Sequence, residues 1–206
     1  MPRKQKPDTT IKEIMIVDDP CAIKLLFTQK YAEIIRLVGS EEFTVSDVAR
    51  KLGVNSGSIY YHVKELEKHG LVNPVREEIA GGVVKKYYRK AAMNFTINIS
   101  DPASAVVAAE MGIDEAFMEK IIKSLSYFGY GVRPEKMEEA KRSLIALDAR
   151  YKAILAEIQR SGLEQAEADR LLVSNTYSVA SILRLAGDGQ FIEAVKKFTD
   201  VFQRKS

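Results

Sequence analysis

Residues 44–72, TVSDVARKLGVNSGSIYYHVKELEKHGLV, hold two short amphipathic patterns separated by a glycine and a polar turn. The first spacing predicts a helix over 46–52 closed by Gly53, with Thr44 or Ser46 as its cap. Asp47 in its first turn suits the positive end of the helix dipole. The second pattern predicts a helix that begins near Asn55 or Ser56 and ends at Gly70. Ile59, Val63 and Leu66 recur at i, i+4, i+7 and form its buried stripe. Ser56, Gly57, Ser58, Tyr60, Tyr61 and Lys64 are left outward or flanking, and no acid intervenes before Glu65. A helix that only packs has no need of so small, polar and uncharged a face.

The chain on either side fits that unit. Two β-rich runs, LVNPVREEI and VVKKYYRKA, follow directly and are joined through Ala80, Gly81 and Gly82, which is a hairpin signal. NFTINI alternates with Phe95, Ile97 and Ile99 on one face and predicts a further strand. Upstream, IKEIMIVDD reads as a short strand or an extended lead-in, and Asp19-Pro20 reads as a cap followed by a first-turn proline. From there one helix is expected to run to about Val38, with Ile23, Leu26, Phe27, Ile34, Leu37 and Val38 at helical spacing. Helix, turn, helix and a hairpin with basic and aromatic residues describe a winged helix-turn-helix. In such a unit the N-terminal turns of the second helix approach base edges in the major groove, and the wing meets the phosphate backbone or minor groove. The wing carries Arg76, Lys85, Lys86, Arg89 and Lys90 with Tyr87 and Tyr88 among them, set against the acids Glu77 and Glu78.

Composition is compatible with this and excludes other classes. The 206 residues are 46% hydrophobic and 29% charged, and no run reaches the ~18 apolar residues that a membrane span needs. A single cysteine, Cys21, rules out an intrachain disulfide and fits a reducing cytoplasm, and no apolar segment follows the basic start to make a secretion signal. Net charge is +3, but it is unevenly placed: residues 1–100 carry 16 Lys and Arg against 12 Asp and Glu, and residues 101–206 carry 15 against 16. The basic excess sits in the half that would meet an anion. There is no glycine-rich phosphate loop, nucleophile elbow or paired-histidine metal motif, so catalysis is not expected.

Beyond Asp101-Pro102 the chain reads as wholly helical, with helices near 102–111, 114–128, 134–160, 164–186 and 190–203. In the third of these, Met137, Ala140, Leu144, Leu147, Tyr151, Ile154 and Ile158 keep a 3-4-3-4 spacing that demands a partner helix, either within the chain or from a second copy. The aromatics Phe117, Tyr127, Phe128, Tyr130, Tyr151, Tyr177 and Phe191 are expected mostly in the core. The expected fold is therefore mainly α with a small β-wing (α+β). A flexible basic arm at 1–10 precedes a winged helix-turn-helix over 11–100, and an all-helical dimerisation and regulatory region covers 101–206.

FTVSDVARKLGVNSGSIYYHVKELEKHGLV, followed by VVKKYYRKAA, resembles the winged-helix domain of ArsR-type regulators, above all their archaeal branch. That branch shares a DDP-like cap, here Asp18-Asp19-Pro20, and a KYYR-type wing strand, here Lys86 to Arg89. The likeness covers roughly residues 15–100, and the helical remainder is similar to that of archaeal members with an added C-terminal region. It implies a homodimeric transcription regulator on a pseudo-palindromic operator, usually a repressor; an unknown small-molecule effector is a candidate further partner, and nothing in the sequence identifies the signal. Dimerisation is then expected through Met137, Leu144, Leu147, Tyr151, Ile154 and Ile158. DNA contacts are expected from Ser46, Asn55, Ser56, Gly57, Ser58, Tyr60, Tyr61, His62, Lys64, Arg76, Lys85, Lys86 and Arg89. His62, between Ile59 and Leu66 on the helical wheel, reads as a partly buried structural histidine before it reads as a base contact. The alternative is a winged-helix module for protein partners. One departure stands out. Metal-sensing members use paired cysteines in the helix before the recognition helix, or carboxylate and histidine clusters elsewhere. Residues 44–53 hold neither cysteine nor histidine, and with one Cys and two His in the chain a thiolate site would have to be intersubunit and oxygen-rich, so no metal or other cofactor is expected. Cys21 is expected as a small buried residue and His69 as a cation at a helix C-terminus.

Overall fold

The computed structural model describes residues 11–38, 41–80, 82–98, 101–166 and 169–204. The basic arm expected at 1–10, the wing-tip Gly81 and the strand residue Ile99 lie outside them. The chain divides into two compact units: residues 1–96 with 164–166, and residues 97–163 with 167–206. The first is a winged helix-turn-helix and the second is a helical region carrying one small sheet, so the architecture is mainly α.

In the first unit a strand, β1 (Lys12–Val17), precedes α1 (Pro20–Phe27) and α2 (Gln29–Leu37). The single helix expected to Val38 is two. Thr28 takes an extended conformation (φ −80°, ψ 118°), ends α1 by donating its hydroxyl to the Lys24 carbonyl (2.7 Å), and stands at the head of α2. The local cause is in the polar TQK interruption: a threonine hydroxyl competes for backbone acceptors and is tolerated at a break. α3 (Val45–Leu52) is capped by Thr44, not Ser46. Thr44 Oγ accepts from the Asp47 amide (3.2 Å) while the Asp47 carboxylate accepts from the Thr44 amide (2.9 Å), a reciprocal capping box. Gly53 closes α3 in the left-handed region (φ +67°), where a Cβ is disfavoured.

α4 (Ser56–Lys68) starts at Asn55, whose side-chain oxygen accepts from the Gly57 amide (2.6 Å). A Cβ on Gly57 would lie 3.0 Å from that oxygen, which explains the glycine: a larger residue crowds the cap. Ile59, Val63 and Leu66 are buried as the spacing predicts, with α4 packed on α3 and on β2 (Val72–Ala80). Val48, Ala49, Ile34, Ile35, Ala22, Ile23, Leu71 and Val72 complete the core of this unit. The C-terminal end of α4 is fastened at His69, whose Nδ1 lies 2.6 Å from the Asp19 carboxylate at the start of α1.

The wing is the antiparallel pair of β2 with β3 (Val83–Lys90), and its register shifts between Pro74 and Arg76. A bulge there accommodates a proline that has no amide to donate. Phe43 adds a one-residue third rung, exchanging backbone hydrogen bonds with Tyr88 (2.9 and 2.8 Å). Tyr88 is buried and so anchors the wing to the helices. β4 (Ala92–Ile97) pairs with β1 in a separate two-stranded sheet.

The second unit contains α5 (Pro102–Glu110), capped by Asp101, then α6 (Glu115–Ser124), α7 (Met137–Gln159), α9 (Arg170–Gly187) and α10 (Gly189–Thr199), while the short α8 (Leu163–Ala166) between α7 and α9 falls largely in the first. It is not wholly helical. Gly129 (φ +82°) ends a 3-10 turn after α6 and turns the chain into β5 (Tyr130–Val132), which pairs antiparallel with β6 (Phe202–Arg204). The apolar seam of α7 is filled within the chain at four of its six expected dimer positions. Met137 and Leu144 pack on Ile122, Ala140 and Val201, and Ile154 and Ile158 pack with Val173 and Tyr177. Leu147 is half-buried and Tyr151 exposed. Most of the expected core aromatics are on the surface: Tyr177 is buried and Phe191 half-buried, but Phe117, Tyr127, Phe128, Tyr130 and Tyr151 are exposed. With five helices of ordinary length and two short strands, the unit has too little interior to enclose them. Arg150 of α7 pairs with Asp188, which also accepts from the Phe191 amide (2.7 Å) as the cap of α10.

Two outcomes follow. Leu66→Ala leaves a hole beneath α4 and costs about 3 kcal/mol, against about 1 kcal/mol for loss of the cap in Thr44→Ala, both read from urea unfolding. The Arg150 guanidinium and the Phe191 amide hold the Asp188 carboxyl at about 2 in the folded chain, below its ordinary 3.8. A lowered folded value means stability that is complete above the unfolded value and lost as acid is added. Stability therefore declines from near pH 4 towards pH 2, and Asp188→Asn, which keeps a cap but cannot titrate, removes that part of the acid response.

Candidate nucleic-acid interface

The burial of Ile59, Val63 and Leu66 fixes which residues α4 can present. Asn55, Ser56, Gly57, Ser58, Tyr60 and Tyr61 are all exposed, and they form one continuous surface over the first two turns. Tyr60 and Tyr61 carry the largest side chains of this surface. Both are outside, at 47% and 73% exposure, and pack edge to face on one another with centroids 5.7 Å apart. An exposed aromatic pair gains little from being there in the free protein, but each ring offers a hydroxyl and an apolar edge.

Two residues expected on this face belong to the interior side. His62 is half-buried with its ring edge-on to Tyr31 (5.1 Å), and burial followed by the nearby Lys30 ammonium pushes its imidazole below the ordinary range. It is a packing residue against Tyr31. Lys64 is half-buried and its ammonium donates to Glu67 (2.6 Å), which raises its basicity. Lys64 stays partly exposed, one turn on from Tyr60 and Tyr61, with its charge committed to Glu67.

The wing stands beside this surface. Thr44, Val45 and Ser46 at the start of α3, Tyr60 of α4, and Val84, Lys85, Lys86 and Tyr88 of β3 line a groove of about 500 Å³. Ser46 is exposed at its edge. The wing cations are mostly engaged. Arg76 donates to Glu42 (2.6 Å) and Glu78 (3.3 Å) and lies 3.4 Å over the Tyr87 ring, while Arg89 donates to the same Glu42 (3.0 Å). Lys86 pairs with Glu77 (2.8 Å). Among the described residues Lys85 is in no ion pair, and its ammonium sits 5.2 Å from the Tyr87 ring. Glu42 was not legible as part of this site. It lies in the turn before α3, 34 residues from Arg76 in sequence, and only the fold brings it to both arginines. Ile79 and Val84, register partners next to the wing tip, are likewise exposed apolar residues with no motif to announce them.

Against known proteins, a family model described as a helix-turn-helix domain matches residues 32–75. That match spans α2 from its fourth residue, α3, α4 and the beginning of the wing. No curated protein matches the chain. Among the described residues no helix is long and apolar enough to cross a membrane.

Proposed function

We propose that the chain is a sequence-specific double-stranded DNA-binding transcription regulator of the ArsR type, close to its archaeal branch. The observation that carries this reading is the N-terminal half of α4. Its capped start exposes backbone amides, Ser56, Ser58 and the Tyr60–Tyr61 pair, contains no acidic residue and adjoins a basic wing. A duplex groove about 12 Å wide accepts one helix, and a helix N-terminus favours the phosphates at its edge. Ser58 and Tyr61 read bases, Ser46 and Lys85 hold the backbone, and the exposed Ile79 and Val84 meet the sugar edge of the adjoining minor groove.

A single helix reads few base pairs, so the regulator acts as a homodimer on two half-sites, and the type it resembles acts mainly in repression. Surface apolar residues on α9, Leu172, Val179, Ile182 and Leu183, lie along one stripe and support assembly through the second unit. A small-molecule effector would act by changing the spacing of the two recognition helices.

One observation favours a second reading. The engagement of Arg76, Arg89 and Lys86 with Glu42 and Glu77 lowers the net positive field of the wing, as suits a winged helix that docks on protein. Salt separates the two. Fluorescence anisotropy against duplex DNA from upstream of its own gene, between ~50 and ~200 mM salt, is expected to show orders-of-magnitude weakening from released counterions. Ser58→Ala with Tyr61→Ala abolishes preference for that DNA over a scrambled duplex. Glu42→Gln, which frees two arginines, strengthens binding to both and steepens the salt dependence. A folded protein that binds neither duplex at low salt rejects the DNA reading.

A further inference from the structure

The chain has one cysteine and two histidines in 206 residues, and the fold brings the cysteine and one histidine together with a carboxylate. Asp19, Cys21 and His69 each offer one ligand atom, and the three atoms lie within 4.8 Å of one another. We propose that Asp19, Cys21 and His69 form a binding site for a thiophilic divalent cation of the Zn²⁺ or Co²⁺ class, at the junction of α1 with the C-terminal end of α4.

The donor set is of the kind such ions select. One thiolate, one imidazole and one carboxylate neutralise a 2+ charge and leave a fourth tetrahedral position for water, whereas Mg²⁺ and Ca²⁺ prefer all-oxygen ligands. Around a tetrahedral zinc, at ~2.0–2.3 Å from each ligand, donor atoms are roughly 3.3–3.8 Å apart. The present spacing is within about an ångström of that, and Cys21 is exposed, so its side chain is free to rotate inward. The cysteine was expected to be buried; it is instead exposed, at the second position of α1, although Ala22 and Ile23 beside it are buried. Nothing in the packing requires a thiol there.

The surroundings already orient the ligands. Asp19 divides its two oxygens: Oδ1 accepts from the Cys21 amide (2.9 Å) and Oδ2 faces His69 Nδ1 (2.6 Å), so Oδ2 ligates while Oδ1 keeps the helix cap. On the far side of the ring Glu65 lies 3.2 Å from Nε2. A carboxylate on that nitrogen holds the Nε2–H tautomer and leaves the Nδ1 lone pair for metal, the arrangement by which outer carboxylates position metal-bound imidazoles. The cation replaces the proton shared by His69 and Asp19, and the Cys21 thiol gives up its own proton, both to solvent. The site stands whether or not α4 binds DNA, since it lies at the opposite end of that helix.

The test uses the full-length chain, reduced, stripped with chelator and titrated with Co²⁺ alone. One equivalent per chain, with the strong ligand-field bands of tetrahedral cobalt and a thiolate-to-cobalt charge-transfer band that Zn²⁺ abolishes, is the expected result. Cys21→Ser loses the charge-transfer band, and Asp19→Asn, which retains the cap, binds at least tenfold more weakly, each with an unchanged far-ultraviolet circular dichroism spectrum. Three results overturn the site: no charge-transfer band in the unsubstituted chain, a stoichiometry of one cobalt per two chains, or a band of full intensity and affinity in both Asp19→Asn and His69→Gln. The last two mark an intermolecular thiol pair.

Discussion

The burial of Ile59, Val63 and Leu66 in α4 is the constraint on which the rest of the first unit depends. Once those three side chains are removed from water, the rotation of the helix about its own axis is set, and Ser56, Ser58 and Tyr61 have nowhere to go but outward. Both ends of the helix are then pinned by separate devices. Asn55 and the unsubstituted Gly57 cap its start, and His69 ties its end to Asp19 of α1 across 50 residues of sequence. A surface held so firmly at both ends has little ordering entropy left to lose when it meets a ligand, which favours tight binding.

The wing obeys a different balance. Its strands alternate, placing Tyr88 inward as an anchor and Tyr87 outward beneath the Arg76 guanidinium. Glu42 reaches across to both wing arginines, so the side of the wing toward the turn before α3 is nearly charge-compensated, whereas Lys85 extends from the groove side next to Tyr60 and Ser46. Exposed pairs of this kind contribute little to stability. Their consequence is directional: they hold the arginines flat against the wing in the free protein, and a phosphate must compete with Glu42 to recruit them.

Much of this was legible in the sequence because it rests on local chemistry. The two helices around Gly53, the hairpin, and the buried stripe of α4 all follow from spacing and turn residues within a dozen positions. Three features were not. Thr28 divides what periodicity reads as one helix, because a single extended residue leaves the apolar spacing on both sides almost intact. The heptad seam of α7 was readable but its partner was not: a stripe calls for burial without saying by what, and Val173, Tyr177, Ile122 and Val201 supply it from within the chain. The clusters that join Glu42 with Arg76 and Arg89, and Asp19 with Cys21 and His69, depend on separations of 34 to 50 residues, which no local pattern encodes. The exposure of Tyr127 and Phe128 was missed for a related reason, since aromatic content alone does not reveal whether a small unit has room to bury it.

The claim that the first two turns of α4 face DNA is tested most directly by placing a photoreactive benzophenone side chain at position 61, and at the exposed Arg142 of α7 as a control, in the full-length chain. Irradiation with duplex DNA from upstream of the gene should crosslink from position 61 to bases within a short, discrete stretch of that duplex and leave Arg142 uncoupled. Crosslinks from both positions alike, or from position 61 only to protein, would contradict the account.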